Sequence, residues 1–378
     1  MLALKRMRRR TGLFVAVFGV VVLLSGLGVG LSGYLAAAAT SGARVGVAAL
    51  TGANGGFEVS MPLASGRAAQ SAQDSRVRAT VRATVRADGH PVAVSVIRDI
   101  VTPNSVELDP PTGAPVRAAL ASIAGLASSA QVISGHWPTT VGEASIQADA
   151  AASLGVRVGE TLTLPSGTPL TITATWRVKD SSDSRWLDDL ITVGGIDQDG
   201  IPGWVVIDPS VWKKSGVDPI ARWTIRPDAT RITVGQLSAL EGAPISVSNA
   251  LQKANRGQDV QEVGLLQLGM SPIQQNVQAA AAVSTAPLVV LAVLGVITMI
   301  ELARMLEQLR SAENSLRRAR GASTPRFVLE GAAEGAAVAI PGAAAGAAVA
   351  AWLLAGSGAA GDIQPAGWVA AIAAASIA

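Results

Sequence analysis

Glu301-Leu-Ala-Arg-Met-Leu-Glu-Gln-Leu-Arg310, Ser311-Ala-Glu-Asn-Ser-Leu-Arg-Arg-Ala-Arg320 and Gly321-Ala-Ser-Thr-Pro-Arg-Phe-Val-Leu-Glu330 form one continuous stretch with six arginines and no lysine. An uncharged apolar run abuts it on each side, Ala279 to Ile300 before and Gly335 to Gly361 after. A bilayer core about 30 Å thick is crossed by roughly 20 apolar residues in a helix. Both runs are long enough. Basic residues collect in short cytoplasmic flanks, so the stretch reads as a basic loop held at the cytoplasmic face by two transmembrane helices.

Working outward, Thr11 to Ala43 carries no charge, and Leu13 to Leu35 within it would span a bilayer. Lys5, Arg6, Arg8, Arg9 and Arg10 precede it and place the N-terminus in the cytoplasm. A cleaved signal peptide is the competing reading, with Ala37 and Ala39 in an A-x-A pattern. The apolar run exceeds a signal core of about 7–15 residues, which favours a retained helix. From Ala366 to Ala378 a fourth apolar run begins, too short to cross. The expected fold is therefore a membrane α-helical bundle of four-span type with its last span incomplete. A large extracytoplasmic α+β domain stands between the first and second spans. The expected boundaries are a basic N-terminus over 1–12, spans over 13–39, 279–301 and 331–356, and the start of a fourth over 366–378. Residues 44–278 form the external domain with its stalk, and 302–330 the cytoplasmic loop. Localisation follows as the plasma membrane, multi-pass, with the chain a truncated or half-length unit.

Composition agrees with a membrane setting. Half of the 378 residues are hydrophobic and 15% are charged, against about 25% charged in soluble domains. A net charge of +3 is too small to suggest nucleic acid as a partner. The absence of cysteine excludes disulfides, thiolate catalysis and thiolate-bound zinc. His90 and His136 are the two histidines and lack ligand-spaced companions. No G-x-x-x-x-G-K-[ST] occurs, so no phosphate-binding loop is expected on this chain. Catalytic, cofactor and metal residues are all expected to be none.

In the external segment, Arg76 to Ala87 alternates arginine or threonine with valine or alanine, which predicts a strand with one buried face. Its arginine row could meet anionic lipid or an acidic ligand, though a solvated face suffices to explain it. Further strands are expected over Val92–Ile100, Gln131–Ser134, Gly142–Gln147, Thr161–Leu164 and Leu170–Val178. Helices are expected over Ala114–Ala127, Ala148–Leu154, Gln236–Gly242 and Ile245–Asn255, with Gln261–Ala282 as a helical stalk. Asp197, Asp199 and Gly200 resemble a calcium loop only superficially, because the closing glutamate is missing. Trp176, Trp186, Trp204, Trp212 and Trp223 read as core anchors.

In the basic stretch, Leu302, Leu306, Leu309, Leu316 and Ala319 recur at helical spacing, and Glu313 with Arg317 forms a favourable i,i+4 pair. Gly321 is placed to end the helix, and Pro325 to start the next. Gly331 with Gly335 and Gly342 with Gly346 give the third span two small-xxx-small repeats, and Gly26 with Gly30 gives the first span one. Such positions let helix backbones approach closely.

Glu313-Asn-Ser-Leu-Arg-Arg-Ala-Arg-Gly-Ala-Ser323, followed by Glu330, Glu334 and a Gly/Ala-rich span, resembles the signature of FtsX-like permeases. Gly135-His-Trp-Pro138, Gly142-Glu143, Ala151-Ala-Ser-Leu-Gly-Val156 and Val158-Gly-Glu160 resemble the external domain of MacB-type permeases. In order and topology the likeness covers residues 11–40 and 130–378. It implies the permease subunit of an ABC transporter of the mechanotransmission type. The cytosolic ATPase would be a separate subunit carrying the ATP, and a homodimer or a pseudo-dimer with a second permease half would complete the assembly. By the same resemblance Glu313, Leu316, Arg317, Arg318, Gly321 and Ala322 would meet the ATPase. The competing expectation is a membrane-anchored regulatory or interaction protein that transports nothing.

Overall fold

β-Branched runs between Phe57 and Gly264 pair into one large sheet, while the apolar runs on either side form long helices. The computed structural model describes residues 11–110, 113–255, 259–319 and 324–356. The helices are α1 (Thr11–Ala48), α2 (Arg67–Thr84), α3 (Leu126–Ser129), α4 (Ala148–Leu154), α5 (Leu190–Gly194), α6 (Leu237–Glu241), α7 (Ala243–Ala254), α8 (Leu266–Ala319) and α9 (Thr324–Gly356). The strands are β1 (Phe57–Pro62), β2 (Arg86–Ala87), β3 (His90–Pro91), β4 (Val94–Val101), β5 (Val106–Leu108), β6 (Val116–Ser122), β7 (Ala130–Gly135) and β8 (Glu143–Gln147). They continue as β9 (Thr161–Thr163), β10 (Pro169–Val178), β11 (Gly203–Ile207), β12 (Ile220–Pro227) and β13 (Gln261–Gly264). The chain divides into two compact units, Met1–Gly42 with Asn276–Ala378, and Ala43–Gln275.

In the second unit, eleven strands join in the order β13-β1-β12-β4-β6-β11-β8-β10-β7, with β5 on β6 and β9 on β10. The sheet is mixed. β6 and β11 run parallel, as do β8 and β10, and the other pairs are antiparallel. Two apolar clusters fill its core. One gathers Leu108, Leu120, Ile146, Leu162, Leu170 and Ile172, and the other Trp176, Trp186, Trp204 and Ile191. β10 feeds both, because its register shifts between Ile172 and Ala174. A bulge of this kind re-aims the side chains beyond it. The five tryptophans expected as anchors are all buried, and Trp176 and Trp223 completely so.

The four-span bundle is corrected. Among the described residues three helical stretches are long and apolar enough to cross a membrane, Val15–Ala48, Leu266–Met305 and Gly335–Ala355. Much of the remaining chain is the mixed sheet. The run at 366–378 lies outside the described residues.

Local expectations divide. β4, β7, β8, α4, β9, β10, α6 and α7 lie where the residue pattern puts them. Arg76–Ala87 does not form the expected strand; α2 is a helix through Thr84, and only Arg86 and Ala87 pair, as β2. Val77, Val81 and Val85 are each 1% exposed, and their i,i+4 spacing is the helical stripe hidden inside the alternation. Alanine between them favours helix. Ala114–Ala127 contains β6 instead of a helix, with Ala118 to Ser122 all buried. A strand flanked by β4, β5 and β11 loses the polar alternation that marks an exposed one. The stalk begins later than expected, since Gln261–Gly264 pairs with β1 before α8 starts.

Candidate functional site

The described helices of the first unit meet along a seam of small residues. On α1 the buried positions Val21, Ser25, Val29 and Gly33 recur every four residues, which is one face of a helix. On α9 the facing stripe is Ala339, Gly342, Ala343, Gly346, Ala347 and Ala350. A Cβ on Gly346 would overlap Ser25 Oγ and the Val22 carbonyl oxygen. One on Gly26 would stand 3.3 Å from the Gly346 carbonyl oxygen, and one on Gly342 3.2 Å from Val21 Cγ1. The backbones therefore touch because glycine leaves room. Ser25 Oγ donates to the Val21 carbonyl at 2.7 Å, so its hydroxyl is satisfied within its own helix. α8 joins α1 more loosely, with Gly295 beside Leu24.

Of the helix-packing residues read from sequence, Gly342 and Gly346 lie in this seam and are buried. Gly335 is half-buried on the same helix, and Gly331 lies a turn nearer its start. Ile340, Val349, Trp352 and Leu353 point away and are exposed, with Trp352 74% accessible. An apolar face of this kind suits lipid.

Glu313, Leu316, Arg317 and Arg318 all fall in the last turns of α8, which runs unbroken for 54 residues. α8 therefore carries the second span and the first part of the basic stretch on one continuous helix, roughly 80 Å long at about 1.5 Å per residue. Gly321 and Ala322 lie outside the described residues. α9 opens at Thr324 with Pro325 in its first turn, where a missing N–H costs no helical bond.

The sheet unit holds a second polar feature that residue patterns did not reveal. Arg222 on β12 has 18% of its side chain exposed. Its Nε lies 3.4 Å from Glu58 on β1, and its Nη1 3.4 Å from Asp189 just before α5. The guanidinium also lies over the Trp204 ring at 5.2 Å. Nearby, Arg226 pairs with Asp183 at 2.7 Å, and Arg185 bonds Ser129 Oγ at 2.9 Å as well as the Ala124 carbonyl. Asp99 on β4 accepts the Ala124 N–H at 2.7 Å. The group thus ties residues 183–189 to β12 through Arg222 and Arg226, and to Ala124 and Ser129 through Arg185.

Charge in this cluster leans negative, with Glu58, Asp99, Asp183 and Asp189 around Arg185, Arg222 and Arg226. Burial pushes the Glu58 carboxyl above its ordinary value, Arg222 opposes the shift, and Asp189 and Asp99 add to it. Burial also pushes Asp99 up against the pull of the Ala124 N–H and Arg222. Burial disfavours the charge on Arg222, yet Glu58, Asp189 and Asp99 outweigh it and hold the guanidinium protonated. Burial, with neighbouring carboxylate charge added to it, keeps Glu58 and Asp99 from ionising easily while the arginine stays charged. A buried arginine with several acidic partners leaves no periodic trace in sequence, because its partners come from β1, β4 and a loop.

Among the described residues no group of three His, Cys, Asp or Glu side chains is placed to hold a metal. Asp197 Oδ1 accepts the Asp199 and Ile201 N–H groups and so is used within its own turn. His136 is exposed, with Nδ1 3.1 Å from the Trp137 carbonyl oxygen, and His90 is exposed on β3. These two imidazoles are not brought together with any nucleophile.

No protein-family model and no curated protein matches the chain. Among solved structures, the chain is similar to a domain from Porphyromonas gingivalis provisionally described as belonging to a permease. The identity is 11% and the TM-score 0.27, over 55% of this chain and 89% of that one. A TM-score that low carries no argument about fold or function. What stands is coarser: a chain with three helices of membrane-spanning length and a separate sheet unit.

Proposed function

We infer that the chain is a permease subunit of an ABC transporter, coupling ATP hydrolysis by a separate cytosolic ATPase to movement of its sheet unit outside the cell. The supporting observation is the order of parts: a basic stretch containing the sequence Gly321-Ala-Ser323 between two apolar helices, and the sheet unit between the first and second. The continuity of α8 favours it further, since an unbroken helix carries a displacement applied at one end to the other. In this reading ATP-driven closure of the ATPase pushes on Glu313, Leu316, Arg317 and Arg318, with Gly321 and Ala322 also in the contact. The seam of α1 and α9 keeps the helices in register while the force passes. The chain itself performs no bond chemistry and holds no cofactor, and it works as a homodimer or beside a second permease half. Its N-terminus lies in the cytoplasm, and the membrane is the plasma membrane.

Co-purification with a P-loop ATPase from membranes tests this. Arg317→Glu and Leu316→Asp are expected to release the ATPase, and unchanged binding by both sinks the docking role. A chain that brings down no such ATPase is better read as a membrane-anchored regulator. Topology has its own test, because the native sequence contains no cysteine. Single thiols at Arg310 and at the exposed Ser153 must label from opposite sides of the membrane.

A further inference from the structure

Residues 180–189 run between β10 and α5 as a loop tied down on two sides. On the sheet side, Asp183 pairs with Arg226 at 2.7 Å and Asp189 with Arg222 at 3.4 Å, while Arg185 reaches the Ala124 carbonyl and Ser129 Oγ. On the other side the loop grips the connector between α1 and β1. The Ser182 carbonyl accepts the Gly52 N–H at 2.8 Å, and Asp188 Oδ2 accepts the Ala53 N–H at 2.9 Å. Packing there is close as well. A Cβ on Gly55 would overlap Ser184 Cβ, and one on Gly56 would stand 3.2 Å from Leu187 Cδ2.

The connector in turn holds the ends of both long helices. Leu265, just before α8, donates its N–H to the Ala53 carbonyl at 2.9 Å, and a Cβ on Gly269 would overlap the Asn54 carbonyl oxygen. A Cβ on Gly46 of α1 would stand 3.2 Å from Ile273 of α8, so the two helices touch at this joint. Each continues unbroken into a stretch of membrane-spanning length. Ala53 is the middle link, with its N–H bound to the loop and its carbonyl bound to the start of α8. Contiguous contacts of this kind can carry energetic coupling. The loop is also held in a backbone shape that few side chains adopt freely. Leu187 and Asp188 lie at φ +49° and +59°, left-handed values that asparagine and aspartate tolerate and leucine rarely takes. Such geometry persists only where the surroundings over-determine it, and it gathers at clamps and switch regions. Asp188 is exposed, so its bond to Ala53 can open without unpacking the core.

We propose that residues 180–189 are a strap that locks the joint of α1 and α8 to the sheet, with Asp188 as its catch, so that freeing Asp188 loosens both helix ends together. Every residue of the strap and of the joint belongs to the unit Ala43–Gln275. The strap therefore stands or falls without reference to an ATPase.

Hydrogen exchange read by mass spectrometry tests it, on the full chain in phosphatidylcholine nanodiscs. The segments to compare are 50–56 and 262–270, with β9 and β10 as the reference. Asp188→Ala should speed exchange in both segments about fivefold or more, as expected when one hydrogen bond holding a local opening is lost. Asp188→Asn keeps an acceptor and the left-handed preference, and should stay within about twofold of wild type. Asp183→Asn, at the sheet side of the strap, should speed the same two segments about threefold. Leu162→Ala weakens the separate apolar cluster and should speed β9 and β10 without singling out the two segments. Acceleration confined to 50–56, with 262–270 unchanged, overturns the proposal. So does an Asp188→Asn effect equal to that of Asp188→Ala, an unchanged Asp183→Asn variant, or a Leu162→Ala variant that speeds the two segments as much as Asp188→Ala.

Discussion

The helical unit and the sheet unit solve the same packing problem with opposite materials. In the seam of α1 and α9 the buried residues are glycine, alanine, serine and valine, and no charge takes part. In the sheet unit the buried residues are tryptophan, leucine and isoleucine, and a cluster of seven ionisable groups sits among them. Where the surroundings are hydrocarbon, burying a large apolar side chain gains little, so helices associate by close backbone approach. Where the surroundings are water, burial of bulk drives folding, and charges can be enclosed if they are paired. The contrast teaches which solvent each unit is built for, independently of any relative.

The largest test of that contrast removes bulk from the sheet. Trp223 is wholly buried and donates Nε1 to Asp74, so Trp223→Ala should cost about 3–5 kcal/mol in urea unfolding of the full chain. A cost below about 1 kcal/mol would mean that tryptophan bulk does not hold this unit. Next comes the charge cluster. Arg222→Ala leaves Glu58 and Asp189 without their shared cation and should also cost about 3–5 kcal/mol. Arg222→Met, paired with Glu58→Gln and Asp189→Asn, should recover most of it.

The seam is expected to respond to added volume instead. Gly346→Leu should cost about 1–3 kcal/mol through overpacking, whereas Gly28→Ala, where a Cβ meets nothing within 4 Å, should be nearly neutral. A cross-link reads the difference. A Cβ on Gly30 stands 3.8 Å from Ala350 Cβ, which matches the usual Cβ separation of a disulfide, about 3.8 Å. Gly30→Cys with Ala350→Cys should therefore oxidise readily, and adding Gly346→Leu should prevent it. Efficient cross-linking in the Gly346→Leu background would show that the seam does not depend on small residues.

The smallest expected effect is on pH. Glu58 and Asp99 hold their protons in the folded state above the ordinary carboxylate range. Between that range and their raised values the folded chain binds more protons than the unfolded chain, so their contribution to stability falls as pH rises through the window. Urea midpoints should decline modestly as pH rises above the ordinary carboxylate range, and Glu58→Gln with Asp99→Asn should flatten the slope. Asp74 acts in the opposite sense at lower pH. Burial alone would raise its pKa, but bonds from Arg78 and Trp223 outweigh that and lower it, so stability there is lost on acidification below the ordinary range. A midpoint that rises with pH above the ordinary carboxylate range would mean the cluster is not short of cations.

Eight of the short strands and helices of the sheet unit were legible because turn residues bracket them. The exact span of α4, Ala148–Leu154, is one instance, closed by Gly155 at φ +68. α2 was misread because valine every fourth residue also satisfies a two-residue alternation, and only the packing face chooses between them. β6 was misread because alanine-rich segments suit helices locally, and its place between flanking strands overrode that preference. The seam glycines were legible as candidates, but their partner helix was not. The arginine cluster was invisible for a simpler reason: Glu58, Asp99, Asp189 and Arg222 are separated by tens of residues.

By itself the sequence determined where apolar length suffices to cross a membrane, where arginine gathers, and which runs turn and stop. Those are local properties, set by side-chain solvation and backbone freedom over about one span length. Tertiary structure alone decided that α1 faces α9 across Gly26 and Gly346, that β6 lies inside the sheet, and that one guanidinium serves carboxylates from distant strands. Such pairings depend on which surfaces close over one another after long loops are formed, and no window of residues contains both partners.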